Sequence, residues 1–179
     1  MIETVFFAAI SSDGYLAGPD GDMTWAEKYL GLDEDYGFTQ IMSDSVGVLM
    51  GARTFEFEVA ALGDQQRMLP TFVLTNQPFR YDGVVDPNLH FLHGPIDAVL
   101  DELSRHISGQ LLVMGGADVV RQLLDARLLD RLQLFVTPDL LGGGLQLFEG
   151  GMDGALGGFS LIGSREYSTG LRELDYRRH

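Results

Sequence analysis

Cysteine is absent from these 179 residues, which removes disulfides, thiol nucleophiles and thiolate-held metals together. That lack is compatible with a reducing compartment. Lysine occurs once, at Lys28, and the 12 Lys and Arg residues face 26 Asp and Glu, for a formal net charge of −14. A surface of that sign lacks the cations that a phosphate backbone requires, so nucleic acid is excluded as a partner. The four histidines (His90, His93, His106 and His179) lack zincin spacing and have no Cys to join, so no metal site is expected. Neither a P-loop nor a G-x-S-x-G elbow is present. No apolar run approaches the roughly 20 residues of a membrane span. The opening MIETVFFAAI sets an acid before a short apolar run and has no basic leader, so it reads as a first strand rather than a signal peptide. The expectation is a cytoplasmic protein with no membrane partner.

What is present is enough for a packed core. Apolar residues make up 45% of the chain and glycine accounts for 23 positions, at a length suited to one domain spanning residues 1–179. Apolar and β-branched clusters predict strands at Glu3–Ile10, Val46–Met50, Thr71–Thr75, Leu89–Leu92, Leu111–Met114 and Leu132–Thr137. Several of these runs are almost wholly apolar, as strands buried on both faces of a parallel sheet are. Between them, Ile96, Val99, Leu100, Leu103 and Ile107 recur at a 3.6-residue period opposite Asp97, Asp101, Glu102 and Arg105, which predicts an amphipathic helix. Asp118–Ala126 repeats the pattern through Val119, Val120, Leu123 and Leu124. A further helix is expected to begin near Asp33, its N-cap, with Phe38, Ile41 and Met42 inward. At the C-terminal end, Phe159–Arg165 and Leu171–Arg177 flank Ser168, Thr169 and Gly170, the pattern of an antiparallel hairpin. Eight glycines fall between Gly142 and Gly158; a mobile surface loop is the preferred reading there, with a ligand lid as the alternative.

The stretch LLVMGGADVVRQLL, Leu111 to Leu124, combines a strand, a tight Gly115-Gly116 turn and a helix N-terminus. Such a turn leaves backbone N–H groups facing outward at the positive end of the helix dipole, where an anion such as a nucleotide phosphate is favoured. The two glycines would let that anion approach the backbone.

Four other segments join it: SSDGYLAG at Ser11–Gly18 followed by Trp25, LMGARTF at Leu49–Phe55, VLTNQP at Val73–Pro78 and TPDLLGGG at Thr137–Gly144. In their order and spacing the five motifs resemble the dihydrofolate reductase fold, and more closely the C-terminal reductase domain of the riboflavin-biosynthesis deaminase/reductase (RibD) and its stand-alone relatives. The resemblance covers nearly the whole chain. It implies an α/β dihydrofolate reductase-like fold, a mainly parallel mixed sheet flanked by helices with a C-terminal antiparallel hairpin. It also implies NADPH as cofactor, with the nicotinamide beside Ala9, Leu16 and Ala17. The pyrophosphate would lie across two helix N-termini, at Gly51, Arg53 and Thr54 and at Gly115, Gly116, Ala117, Asp118 and Val119. Thr75 and Asn76 would meet the adenosine ribose or its 2′-phosphate. Family members often carry Arg directly after the glycine that ends the second core strand; Ala52 stands there and the cation is Arg53, which leaves NADH open. Asp118 must turn away from the pyrophosphate, and helix capping is the expected way.

On the substrate side the resemblance assigns Asp35, 16 residues before Gly51, as the carboxylate that binds substrate and assists protonation. Asp33 and Glu34 compete for the role. Burial would raise its pKa and suit it as an acid or relay; the alternative is an exposed acidic first helical turn. Trp25, Phe38 and Thr137 are the matching substrate-side residues; packing is the alternative for Trp25 and Phe38, and a strand-terminal threonine without such a role is the alternative for Thr137. Relative to the riboflavin reductases, Tyr15 replaces a Lys and Met114 replaces an acid, and no deaminase domain accompanies the motifs. The implied function is NADPH-dependent hydride transfer to a pteridine-like or aminopyrimidine-like small molecule, by a homodimer. Dihydrofolate reduction and a non-catalytic nucleotide-binding protein are the alternatives.

Overall fold

Alternation in the first strand sets the architecture. In the computed structural model, which describes residues 1–29, 34–63, 67–148, 154 and 156–179, β1 runs Ile2–Ile10. Phe6, Ala8 and Ile10 pack into one core and Val5, Phe7 and Ala9 into cores on the opposite face, so both sides of the strand are covered. Around it lie β3 (Ser45–Gly51), β4 (Thr71–Leu74), β5 (Leu89–Leu92), β6 (Gly109–Gly115) and β7 (Arg131–Val136), with β9 (Phe159–Glu166) and β10 (Arg172–Arg178) closing one edge. The sheet order is β5-β4-β3-β6-β1-β7-β10-β9. Every pairing from β5 to β7 is parallel, and β7-β10 and β10-β9 are antiparallel. The fold is therefore the mainly parallel mixed sheet that the sequence implies, with the C-terminal hairpin in place. The hairpin turns at Gly170, whose φ of +81° suits glycine and whose N–H reaches Tyr167 O at 2.9 Å.

Helices cover both faces. On one, α4 (Ile96–Ser104) and α5 (Ala117–Asp125) bury Val99, Leu100, Leu103, Val119, Val120 and Leu123 against Phe6, Leu111, Val113 and Leu134. On the other, α2 (Phe38–Asp44) and α3 (Ala52–Leu62) set Ile41 and Phe55 against Val5, Val48, Met50 and Leu112. A one-turn helix, α1 (Thr24–Glu27), precedes them. The helix expected near Asp33 starts instead at Phe38, after Gly37 in the left-handed conformation at φ +79°. Asp33 lies outside the described residues. Among the described residues no helix is long and apolar enough to cross a membrane.

The preferred reading of residues 142–158 as a loose loop needs correction over its first half. Leu145–Gln146 forms β8, which pairs antiparallel with β2 (Tyr15–Ala17), and Leu147 and Phe148 are buried in the main core. Apolar residues between the glycines drive this: burying Leu147 and Phe148 is worth about 1.5–3 kcal/mol each. The close approach falls at Gly144, where φ is +124° and a Cβ would stand 2.2 Å from Ala17 O. Gly142 also has positive φ, +69°, but a Cβ there would meet nothing within 4 Å. Gly142→Ala should therefore cost about 1 kcal/mol for its backbone conformation alone. Gly144→Ala should cost clearly more, because β2 must move. Urea denaturation of both variants measures the difference; equal costs would mean that the β2-β8 contact contributes little.

Candidate active site

The parallel strands all deliver their carboxyl ends to one edge of the sheet, which is where open α/β sheets bind ligands. β3 and β6 are neighbours there, in the register Leu49↔Val113 and Met50↔Gly115, so Met114 is an extra residue bulged into β6. Each strand then turns directly into a helix, β3 into α3 through Gly51 and β6 into α5 through Gly116. Both N-cap residues are glycines in extended conformation, so no N-cap side chain occupies the N–H groups of the first turn. The two turns touch: a Cβ on Gly51 would lie 3.6 Å from the Gly116 nitrogen and 3.3 Å from Val119, and Thr54 Oγ1 would lie 3.4 Å from one on Gly116. The Gly115-Gly116 peptide bond is cis. Gly51, Thr54, Gly115, Gly116, Ala117 and Val119 are thus brought together. Arg53 is exposed at the second position of α3, and among the described residues no ion pair engages it.

Asp118 stands in the first turn of α5 and makes no cap hydrogen bond. It is exposed and forms an i,i+3 ion pair with Arg121. That pairing sets a guanidinium against its charge. Thr75 follows β4, adjacent to Gly51 through the Gly51↔Leu74 pairing. Its hydroxyl is buried and accepts the Gln77 N–H at 3.1 Å, while Asn76 is exposed. Sequence reading set aside every histidine, yet His93 Nδ1 lies 3.1 Å from Thr75 O. Since a carbonyl only accepts, Nδ1 is the donor in this contact.

Ala9, near the end of β1, and Leu16 and Ala17 in β2 flank the 11–14 loop along the chain; Ala17 is buried, and Ala9 and Leu16 are partly buried in different cores. Thr137 is buried, and its N–H donates to Ile10 O at 2.9 Å. Trp25 is half-buried in α1, and its indole N–H is buried with no partner among the described residues. Sequence reasoning passed over the carboxylate two residues after Thr137. Asp139 accepts Tyr29 Oη–H at 2.6 Å and forms an ion pair with Lys28, and its carbonyl accepts the Ser12 N–H at 2.8 Å. Asp13 answers from the other side, accepting the Leu141 and Gly142 N–H groups at 3.2 and 2.7 Å. This clasp ties the 11–14 loop and residues 28–29 to the 138–142 arm. Partial burial pushes the Asp139 carboxyl up, but the hydrogen bonds from Lys28 and Tyr29 outweigh it and hold its pKa below the ordinary value. The signal available in the sequence was only the lone lysine beside an aromatic residue.

Asp35 is not buried. It stands exposed before α2 and accepts N–H groups from Gly37 at 2.9 Å and Thr39 at 3.2 Å. Those bonds, Gly37 first, lower its pKa, the opposite of what an acid at neutral pH requires. The exposed alternative describes its setting, and capping describes its contacts. Glu34, the described competitor, is half-buried and accepts the Tyr36 N–H at 3.3 Å. Phe38, expected inward, is 40% exposed; its ring lies 5.9 Å from Phe7 and lines an apolar cavity with Met42 and Met114.

Comparison with known proteins fits this geometry. The family model of the RibD C-terminal domain matches residues 4–171. The chain belongs to the RibD C-terminal domain family. Relatives of this RibD C-terminal domain include two uncharacterized proteins of Bacillus subtilis (strain 168). YwjB is 26% identical over 147 residues, covering 82% of each chain, and YyaP is 22% identical over 176 residues, covering 94% of this chain and 90% of its own. Among solved structures, a candidate riboflavin biosynthesis protein from Shewanella sp. PV-4 superposes with a TM-score of 0.83 at 26% identity, with 99% of each chain covered. The diaminohydroxyphosphoribosylaminopyrimidine deaminase/5-amino-6-(5-phosphoribosylamino)uracil reductase of Thermotoga maritima gives 0.72 at 17% identity, over 99% of this chain and 56% of that one. Enterococcus faecalis dihydrofolate reductase, solved with NADP(H), gives 0.68 at 17%, over 99% and 96%. The fold is reductase-like.

The clasp has a pH signature. A carboxyl with a depressed folded pKa contributes stability that is present above its unfolded value of about 3.9 and lost as pH falls through the lower folded value. Asp139→Asn should therefore cost about 1–2 kcal/mol at neutral pH. The gap to the parent should narrow below about pH 4. Urea midpoints from neutral to acid pH measure it, and a gap that does not change with pH would remove the Asp139 carboxylate as the source.

Proposed function

We propose that the chain is an NADPH-dependent reductase of a pteridine-like or aminopyrimidine-like small molecule, with NADH as the second choice of cofactor. One observation carries the reading: two helix N-termini, neither occupied by an N-cap side chain, meet at Gly51 and Gly116, and Arg53 is exposed in the first turn of α3. A doubly charged pyrophosphate suits that arrangement, since N–H donors and helix dipoles from both sides converge on one point. With a net charge of −14 the molecule offers no long-range attraction to an anion, so this local field has to suffice. When bound, a reduced nicotinamide supplies the hydride. Ala9, Leu16 and Ala17 are the small or apolar residues on either side of the 11–14 loop that would meet a flat ring, and the clasp at Asp139 holds that loop in position. Thr75, Asn76 and His93 supply polar groups at the far end of the same sheet edge.

A second reading, a nucleotide-binding protein without turnover, draws on Asp35, which lacks the burial and raised pKa of a proton donor. Titration with NADPH and NADH, followed by NADPH oxidation assays with dihydrofolate and the riboflavin-pathway aminopyrimidine, separates the two. Binding with turnover supports the reductase; binding without turnover on either substrate favours the second reading. No binding of either nucleotide at millimolar concentration sinks both. Arg53→Ala should weaken nucleotide binding about tenfold. Asp35→Asn should leave turnover near the parent value and lower the melting temperature. A fall in turnover of roughly tenfold at unchanged nucleotide affinity would return the acid role to Asp35.

A further inference from the structure

We infer that two copies of this chain join edge to edge through β9, antiparallel about a two-fold axis that passes at Gly163. The contact lies at the sheet edge opposite β5 and is independent of the nucleotide reading.

β9 ends the sheet, with β10 as its one neighbour among the described residues. An edge strand presents a row of unpaired N–H and C=O groups, which proteins guard by keeping the strand short or by placing Lys, Pro or other charge along it. β5, at the other edge, is short, with four residues. β9 has eight, none of them Lys or Pro, and its two charges, Arg165 and Glu166, sit together at its end. In its middle Leu161 and Ile162 are 53% and 54% exposed. Apolar side chains left open along an unguarded edge mark an interaction surface.

Charge and register both name a second copy as the occupant. Residues 159–179 hold four Arg against three acids, whereas the rest of the chain holds eight Lys or Arg against 23 acids. Two copies therefore repel over most of their surface but not at this hairpin. Gly163 pairs with Asp175 and Leu161 with Tyr176, so Ile162 is an extra, bulged residue. A bulge blunts an edge against ordinary strands, and a copy turned about a two-fold axis brings the same bulge to the same place. Such an antiparallel pair sets one residue opposite itself. Centred on Gly163, the overlap places Phe159 opposite Glu166, Ser160 opposite Arg165 and the Leu161-Ile162 bulge opposite Ser164 of the second copy. The faces agree: Leu161 and Ser164 share the face of Tyr176 and Leu174, and Ser160 and Arg165 the face of Arg177 and Glu173. No like charges stand directly opposite, and the self-facing residue is the one without a side chain. Arg177, beside Ser160, is held by Glu3. Glu166 of each copy approaches the strand of the other that carries Arg178, the neighbour of Phe159, and Arg178 makes no ion pair among the described residues.

Sedimentation equilibrium of the full chain should show a dimer. Gly163→Lys or Gly163→Glu alone should weaken it at least about tenfold, because each sets two like charges face to face across the axis. An equimolar mixture of the two variants should restore it as a heterodimer. The chain has no cysteine, so Gly163→Cys introduces a single thiol. Across an antiparallel pair its copy stands about 4.5–5.5 Å away, and mild oxidation should link most of the protein into dimers. Val85→Cys, at a 95% exposed position shortly before β5, is the control and should stay unlinked. A side chain at position 163 meets only an ordinary 3.7 Å contact with Asp175 Cβ, so the small cysteine decides even where a charged variant fails to fold. A parent that sediments as a monomer at about 0.1 mM overturns the proposal. So do cross-linking at position 163 no faster than at position 85, a dimer that both charged variants leave intact, and assembly that continues past the dimer.

Discussion

The parallel pairing of β3 with β6 is the constraint on which the rest depends. It is laid down far from the site, by Val48, Leu49, Leu111, Leu112 and Val113, all nearly inaccessible and packed between two helical layers. Because parallel strands end on the same side, that core pairing alone brings two β-to-α turns into contact. The bulge at Met114 then shifts the last residues, setting Met50 opposite Gly115 and the Gly51 turn against Gly116. Packing energy in the core thus positions backbone dipoles at the edge. No charged side chain is required to hold the turns together.

That economy suits a chain so rich in acid. A strongly negative surface repels an anionic ligand at long range, and salt screens this repulsion within about 10 Å. At contact distance the field of two helix ends is screened far less. Acidic residues in the first two turns of α3 and α5 carry partners of their own: Asp118 pairs with Arg121, Glu56 with Arg80 and Tyr81, and Glu58 with Arg67. The same device recurs at Asp139, whose charge is taken up by Lys28 and Tyr29.

Long-range order was legible in the sequence wherever burial imposes a period. β1, α4 and α5 were readable because each alternates against a packed layer, and the glycine turns after β3 and β6 lie at strand ends that such layers fix. Two kinds of feature were not. β2 and β8 are too short for periodicity to register, and their pairing depends on a collision avoided at Gly144, which only coordinates reveal. Asp35 was singled out by its spacing from Gly51, but spacing carries no information on exposure: Gly37 begins α2 later than expected and leaves Asp35 outside it. Asp139 went unnoticed because its partners are more than 100 residues away in sequence.

Lys28 illustrates how a scarce residue concentrates consequence. It is the chain's sole ε-amine, more than half exposed, and it closes the clasp that joins the first loop to the arm after β7. Any chemistry that acylates lysine therefore meets one side-chain target here, and removing its charge strips Asp139 of its cation while leaving the Tyr29 hydrogen bond. The chain so carries a single lysine handle, placed at the joint between two of its loops, through which side-chain acylation would reach the 11–14 loop and the arm after β7.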